Sequence, residues 1–299
     1  MSQSVQNGAA KDLVKEKGPL ASALTDFWRA FRKNKPAIVG AGIVLFFIVL
    51  AVFARFIAPQ GINDQNINIR LEPPSAQHWL GTDDFGRDIF SRIVFGAQLS
   101  LRVGFLAVIG SIIFGTLLGV IAGYFGKFID TVISRFFDIL LAFPSILLSI
   151  AIVSVLGPSL NNALVAIAIV NVPVFGRLVR SRVLTVKEEE YIVAARSIGM
   201  GNTRIIFNHI LPNSFAPVIV QGTLNIATAI LDAAGLGFLG MGAQPPQPEW
   251  GTMLSASRQY ITNAPWTVLF PGLAIVLVVV GFNLMGDGLR DALDPRMKN

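Results

Sequence analysis

Asp232 stands alone in an otherwise uncharged run from Ser214 to Gly240. A carboxylate at that depth in an apolar helix is expensive, so it is either a structural acceptor bonded to a neighbouring helix or a group on a transport path. Asp83, Asp84 and Asp88 crowd into the run GTDDFGRD together with Arg87, and Arg92 follows. Clustered carboxylates can hold a divalent ion, but this spacing matches no ligand set, and it reads instead as a helix start capped by Thr82 or Asp83. Arg135 and Asp138 are spaced to pair on one helix face. His78 and His209 are solitary and cysteine is absent, which removes metal centres, disulfides and thiolate chemistry. Gly235, Gly237 and Gly240 fit G-x-G-x-x-G, but a dinucleotide loop needs a strand before it and a helix after. Here an apolar helix precedes and Gln244-Pro-Pro-Gln-Pro248 follows, so these glycines end a span and permit close packing. There is no G-x-x-x-x-G-K-[ST] loop, so any ATP that drives this protein binds another chain. No nucleophile–base pair is recognisable. The residues point to neither an enzyme nor a cofactor.

The most ordered polar stretch is Glu188 to Pro212, EEEYIVAARSIGMGNTRIIFNHILP, wedged between apolar runs. Tyr191, Ala194, Ala195 and Ile198 recur at i, i+3, i+4 and i+7, one face of a helix. Three glutamates open this helix and Arg196 lies near its end, as the helix dipole favours. Gly199 supplies a stop where positive φ costs little. Asn202 or Thr203 can cap a second short helix through Ile210, which Pro212 would break. The expected unit is helix, glycine turn, helix.

Composition fixes the setting. The 299 residues are 53% apolar and 14% charged, against about 25% charged in soluble proteins, and the mean hydropathy is +0.62. The chain is therefore read as all-α, a polytopic integral membrane protein with membrane lipid around it. Residues 1–36 form a polar cytoplasmic tail and an interfacial amphipathic helix built on Leu20, Leu24, Phe27, Trp28 and Phe31. The first span covers 37–57, with Arg55 free to snorkel, and an extracytoplasmic loop covers 58–97. Residues 98–287 hold five more spans: Val103–Gly126, a hairpin of two within Ile139–Gly176 broken at Gly157–Asn162, Ser214–Gly240 and Ile261–Gly286. A cytoplasmic tail, 288–299, follows. In the second span Ser111, Gly115, Gly119 and Gly123 form a small-xxx-small ladder suited to close helix packing.

The net charge of +6 does not describe a nucleic-acid surface, because the basic residues sort by topology. With the N-terminus inside, 18 of the 24 Lys and Arg fall on the inner side. Both termini and Glu188–Pro212 are therefore expected in the cytoplasm.

Three runs carry a family resemblance. YIVAARSIGMGNTRIIFNHILPN resembles the coupling loop of bacterial ABC importer permeases, with Ala194, Ala195, Gly199, Leu211 and Pro212 matching and Val193 standing where the family has glutamate. HWLGTDDFGRDIFSRIVFGAQLSLRVG and AILDAAGLGFLGMGAQPPQPEWGTML, with FNLMGDGLRDALDP at the C-terminus, are similar to the C-type subunits of dipeptide, oligopeptide and nickel permeases. The resemblance implies a type I ABC importer permease fold in a bacterial plasma membrane. It also implies three kinds of partner: a homologous B-type permease, two ABC ATPase subunits and an extracytoplasmic solute-binding protein. The ATPase-coupling residues would be Tyr191, Ala194, Ala195, Arg196, Gly199, Arg204, Leu211 and Pro212. Dipeptide is the expected cargo, with oligopeptides, glutathione and nickel as alternatives. A self-contained secondary transporter, which would favour repeated halves, is the competing class.

Overall fold

Why one stretch of this chain can approach another is clearest in the helix from Ile89 to Phe125. A computed structural model describes residues 19–293; most of the N-terminal tail and the tip of the C-terminal tail lie outside the described residues. Within them the regular structure is helical: α1 Pro19–Lys33, α2 Lys35–Val52, α3 Ala54–Ile57, α4 Ile89–Phe125, α5 Lys127–Leu141 and α6 Ser145–Leu156. Then come α7 Leu160–Val186, α8 Glu190–Ser197, α9 Asn202–Ile205, α10 Leu211–Phe238, α11 Trp250–Ser257 and α12 Trp266–Leu293. Five helical stretches are long and apolar enough to cross a membrane: α2, α4, α7, the continuous Asn202–Phe238 unit and α12. The bent pair α5 and α6 supplies a sixth.

That sixth crossing departs from a straight span beginning at Ile139. The chain turns by 93° between α5 and α6. Pro144 has no N–H to donate and pushes Phe143 out of the helical region, so the helix ends there. α6 alone rises only about 18 Å, short of the ~30 Å hydrocarbon core. The expected break near Gly157 is present, with Ser159 capping α7 through Asn162 N at 3.1 Å.

The small-residue ladder is where α4 meets α7. A Cβ added to Gly115 would lie 2.7 Å from the Phe175 Cβ, one on Gly119 would lie 2.5 Å from the Gly176 carbonyl, and one on Gly123 would lie 2.8 Å from the Val183 Cβ. Ser111 Oγ donates across the same seam to the Ala168 carbonyl at 2.9 Å. Without a hydrophobic drive between helices in lipid, this backbone-level contact is what holds the pair. Two ion-pair groups pin α5 to α7: Arg180 Nη2 to Asp130 at 2.7 Å, and Asp138 between Arg177 at 2.6 Å and Arg135 at 3.6 Å.

The acidic cluster before α4 is a structural cap, and the capping residue is not the expected Thr82 or Asp83. Asp88 is the N-cap, its side chain accepting from Ser91 N at 2.8 Å. Asp83 is occupied one turn earlier, accepting from Phe85 N and Arg87 N and pairing with Arg87 Nε at 2.7 Å. The Thr82 hydroxyl donates to the Ile69 carbonyl. Burial, then the neighbouring Asp83 charge, raises the Asp84 carboxyl above its usual range. No group of metal-binding side chains occurs among the described residues.

The turn after α10 closes on a buried acid. Glu249, 1% exposed, caps α11 by accepting from Gly251 N and Thr252 N, both at 2.9 Å, and takes the Ser100 hydroxyl of α4 at 3.4 Å. Burial pushes its carboxyl upward while these donors pull it down. Gly237 leaves the room: a Cβ there would collide with Glu249 Oε2. This is the packing role expected of the glycine run. Glu249→Ala strips an acceptor from buried N–H groups and should cost about 1–3 kcal/mol, read as a lowered unfolding midpoint in detergent.

Candidate coupling segment and intramembrane carboxylate

The segment between α7 and α10 is built as two helical pieces around one glycine. α8 ends in a paired set of bonds: Met200 N donates to the Ala195 carbonyl at 3.0 Å and Gly199 N to the Arg196 carbonyl at 2.9 Å. This is the Schellman arrangement, and it requires a left-handed residue after the cap. Gly199 meets it with φ of +83°. The face of α8 that packs inward is Ile192 and Ala195. Tyr191, Ala194 and Ile198 are exposed, Ile198 by 80%. The apolar spacing read from the sequence therefore marks mostly an outward face, with Ala195 its one buried member.

The second piece differs from a short helix stopped by Pro212. Gly201 is the N-cap of α9, with no side-chain bond. Asn202 serves another purpose: its Oδ1 accepts from the Tyr124 hydroxyl at 2.7 Å. α9 runs through a π-helical stretch, Ile206–Ile210, straight into α10. Leu211 N donates five residues back, to the Ile206 carbonyl. The wider turn lets the helix absorb the missing N–H and ring of Pro212 rather than end. Pro212 is exposed and Leu211 half-buried.

Several tethers fix this unit to the bundle. Lys187 Nζ donates to the Gly123 carbonyl at 3.3 Å, and the Arg196 guanidinium lies 5.4 Å from the Tyr124 ring centre. Asn213 Nδ2 bridges the Tyr191 hydroxyl at 3.2 Å and the His209 carbonyl at 2.6 Å, with the Tyr191 and His209 rings 5.8 Å apart. Arg204 is exposed. Sequence reading missed Tyr124, Asn213 and His209 as partners of this unit, because aromatic and amide tethers have no spacing signature.

Asp232 lies on α10, half-buried, with no hydrogen bond or ion pair among the described residues. A neighbouring-helix partner, the structural alternative for it, is not found there. Lower on the same helix, an amide chain crosses to α7: Gln221 Nε2 to Asn225 Oδ1 at 2.9 Å, then Asn225 Nδ2 to Asn171 Oδ1 at 3.2 Å.

The described residues thus form close-packed crossing helices with a folded helix–turn–helix segment between two of them. Residues 115–299 match the family described as binding-protein-dependent transport system inner membrane component, and 22–74 match the N-terminal TM domain of oligopeptide transport permease C. The chain belongs to this family: it is a multi-pass inner-membrane permease subunit of an ABC importer. It is 66% identical to the dipeptide transport system permease protein DppC of Alkalihalophilus pseudofirmus, over 91% of this chain and 90% of that one. It is 49% identical to the di/tripeptide transport system permease protein DppC of Pseudomonas aeruginosa, over 93% and 94%. It is also 49% identical to the glutathione transport system permease protein GsiD of Escherichia coli, over 91% and 90%. The fold matches a subunit in inward-facing structures of the MetNI methionine ABC transporter, with TM-score 0.55 and 19% identity, over 69% of this chain and 98% of that one.

Proposed function

We propose that this permease carries dipeptides or short peptides through a path formed with a homologous B-type permease. Two ATPase subunits drive it and an extracytoplasmic solute-binding protein loads it. Both termini and residues 188–212 lie in the cytoplasm, as the distribution of Lys and Arg favours. Relatives named for dipeptide transport support the cargo; the glutathione relative makes glutathione the first competitor to test.

The observation that carries the mechanism is the exposed apolar surface of α8. Tyr191, Val193, Ala194 and Ile198 are all exposed beside a rigid glycine corner. Soluble surface has no reason to present them together, and a groove on an ATPase would bury them as helix-in-groove contacts. ATP-driven closure of the ATPase dimer would move α8. Through Gly199, the π stretch and α10, that motion reaches the spans, a two-state coupling biased by nucleotide. Arg196 and Arg204 border the contact, while Ala195, Leu211 and Pro212 hold the shape behind it.

Ile198→Asp places a charge in that contact and should weaken ATPase co-purification by about tenfold or more, with the permease pair still intact. Undiminished co-purification removes α8 from the docking surface. For cargo, proteoliposomes holding the full complex should accumulate labelled dipeptide only with ATP and loaded binding protein. Accumulation of glutathione but not dipeptide moves the assignment to glutathione.

A further inference from the structure

α10 carries a stripe of polar groups whose lower half forms the amide chain to α7 and whose upper half the bundle does not use. Gln221, Asn225, Thr228 and Asp232 fall at i, i+4, i+7 and i+11, one stripe about 16 Å long. Asn225 is buried against α7, where its amide meets Asn171. Further up, the stripe leaves the packed surface: Thr228 is exposed, Asp232 half-buried, and Leu231 beside them 54% exposed. Neither the Thr228 hydroxyl nor the Asp232 carboxylate has a hydrogen-bond partner among the described residues.

No cation pairs with that carboxylate among the described residues. α10 holds no Lys, Arg or His, and neither does α6, the helix whose Ile146 side chain approaches Gly235 one turn above Asp232. α2, α4, α6 and α7 hold no carboxylate either, and Glu249, which packs against Gly237 of the same helix, is taken up by the cap of α11, so Asp232 is the carboxylate on this helix left without a partner among the described residues. Hydrocarbon on this face would leave the charge unpaired at a cost of several kcal/mol. Water, or a transported cation, would not. A peptide crossing the membrane brings one such cation, its N-terminal ammonium, together with amide groups that need donors and acceptors.

Building on the peptide-importer reading, we infer that this face of α10 lines the path, with Asp232 receiving the peptide's α-ammonium and Thr228, one turn below, meeting its backbone. Asp232 is then a specificity-determining residue of the permease itself, acting after the binding protein has let go. The competing assignment is an ion pair between Asp232 and a basic residue of the partner permease.

Because the chain has no cysteine, Thr228→Cys introduces a single thiol. In the full complex in proteoliposomes, that thiol should react with a charged, water-soluble methanethiosulfonate, and dipeptide with loaded binding protein should change its rate. Phe46→Cys, on an exposed apolar face of α2, should stay unreactive. Asp232→Asn should lower labelled dialanine uptake about tenfold, the loss of one charged contact, while Asp232→Glu keeps most of it. ATP hydrolysis stimulated by loaded binding protein should persist in both variants. Unchanged uptake in Asp232→Asn, or an unreactive Thr228→Cys, overturns the inference alone. A joint loss of uptake, stimulated hydrolysis and complex yield overturns it in favour of the inter-subunit ion pair. Failure of the unmodified complex to take up dialanine overturns the peptide-importer reading as well.

Discussion

Gly199→Val should cut ATP-driven uptake by about tenfold or more while leaving the permease inserted and its spans folded. Gly199 sits at φ +83°, and a Cβ there would meet no atom within 4 Å. Crowding therefore contributes nothing, and the whole penalty is in the backbone. A left-handed conformation costs an ordinary residue about 1–2 kcal/mol, and a β-branched one is a genuine outlier there. That is too little to unfold a membrane bundle. It is enough to break the Met200-to-Ala195 and Gly199-to-Arg196 bonds that set the corner. The strain would be relieved by swinging α8 relative to α9, which displaces Tyr191 and Ile198 from their docking position. Gly199→Asn is the matching control, since asparagine visits the left-handed region readily and should retain much of the uptake. Equal losses in the valine and asparagine variants would mean that something other than backbone geometry matters at this site.

Gly119→Leu should have the opposite profile, with loss of the folded permease itself. A Cβ at Gly119 would lie 2.5 Å from the Gly176 carbonyl and 3.1 Å from both Arg180 N and the Val179 Cβ. These are backbone atoms of α7 or atoms next to them, and they cannot rotate away. Overpacking in a well-filled core costs about 1–3 kcal/mol per inserted group, and leucine adds several atoms where not even one fits. α4 and α7 would have to separate, undoing the Ser111 bond to Ala168 and straining the Arg180–Asp130 pair. Gly42 on α2 provides the contrast, because a Cβ there meets nothing within 4 Å, and Gly42→Leu should leave the yield unchanged. Membrane content of intact chain and protease resistance in detergent read both variants. A stable Gly119→Leu protein would show that the ladder is not a contact surface.

These two sites also show what a sequence can disclose. The ladder at Ser111, Gly115, Gly119 and Gly123 was legible because four small residues at one helical spacing leave little purpose except close approach. Gly199 was legible because a glycine between two amphipathic runs marks a left-handed cap. The capping residue of α4 was harder: Thr82, Asp83 and Asp88 are all competent caps, and only the pairing of Asp83 with Arg87 left Asp88 to do it. Pro212 misled for a related reason. A proline ordinarily ends a helix, but a π turn before it supplies an adjustment that propensity cannot foresee. Pro144 was overlooked inside a long uncharged run, where hydropathy hides a 93° bend. Tethers such as Tyr124 to Asn202 and Asn225 to Asn171 join residues 78 and 54 positions apart, and no local pattern announces them.

Everything proposed for energy transfer requires α8 to face the ATP-bearing side of the membrane. Single thiols introduced at Ile198 in this cysteine-free chain can be labelled with an impermeant reagent, in intact cells and in inside-out vesicles. Labelling confined to inside-out vesicles, and blocked when the ATPase subunits are bound, is the predicted result. Labelling of Ile198→Cys from outside intact cells would place the segment on the wrong face and contradict the coupling mechanism.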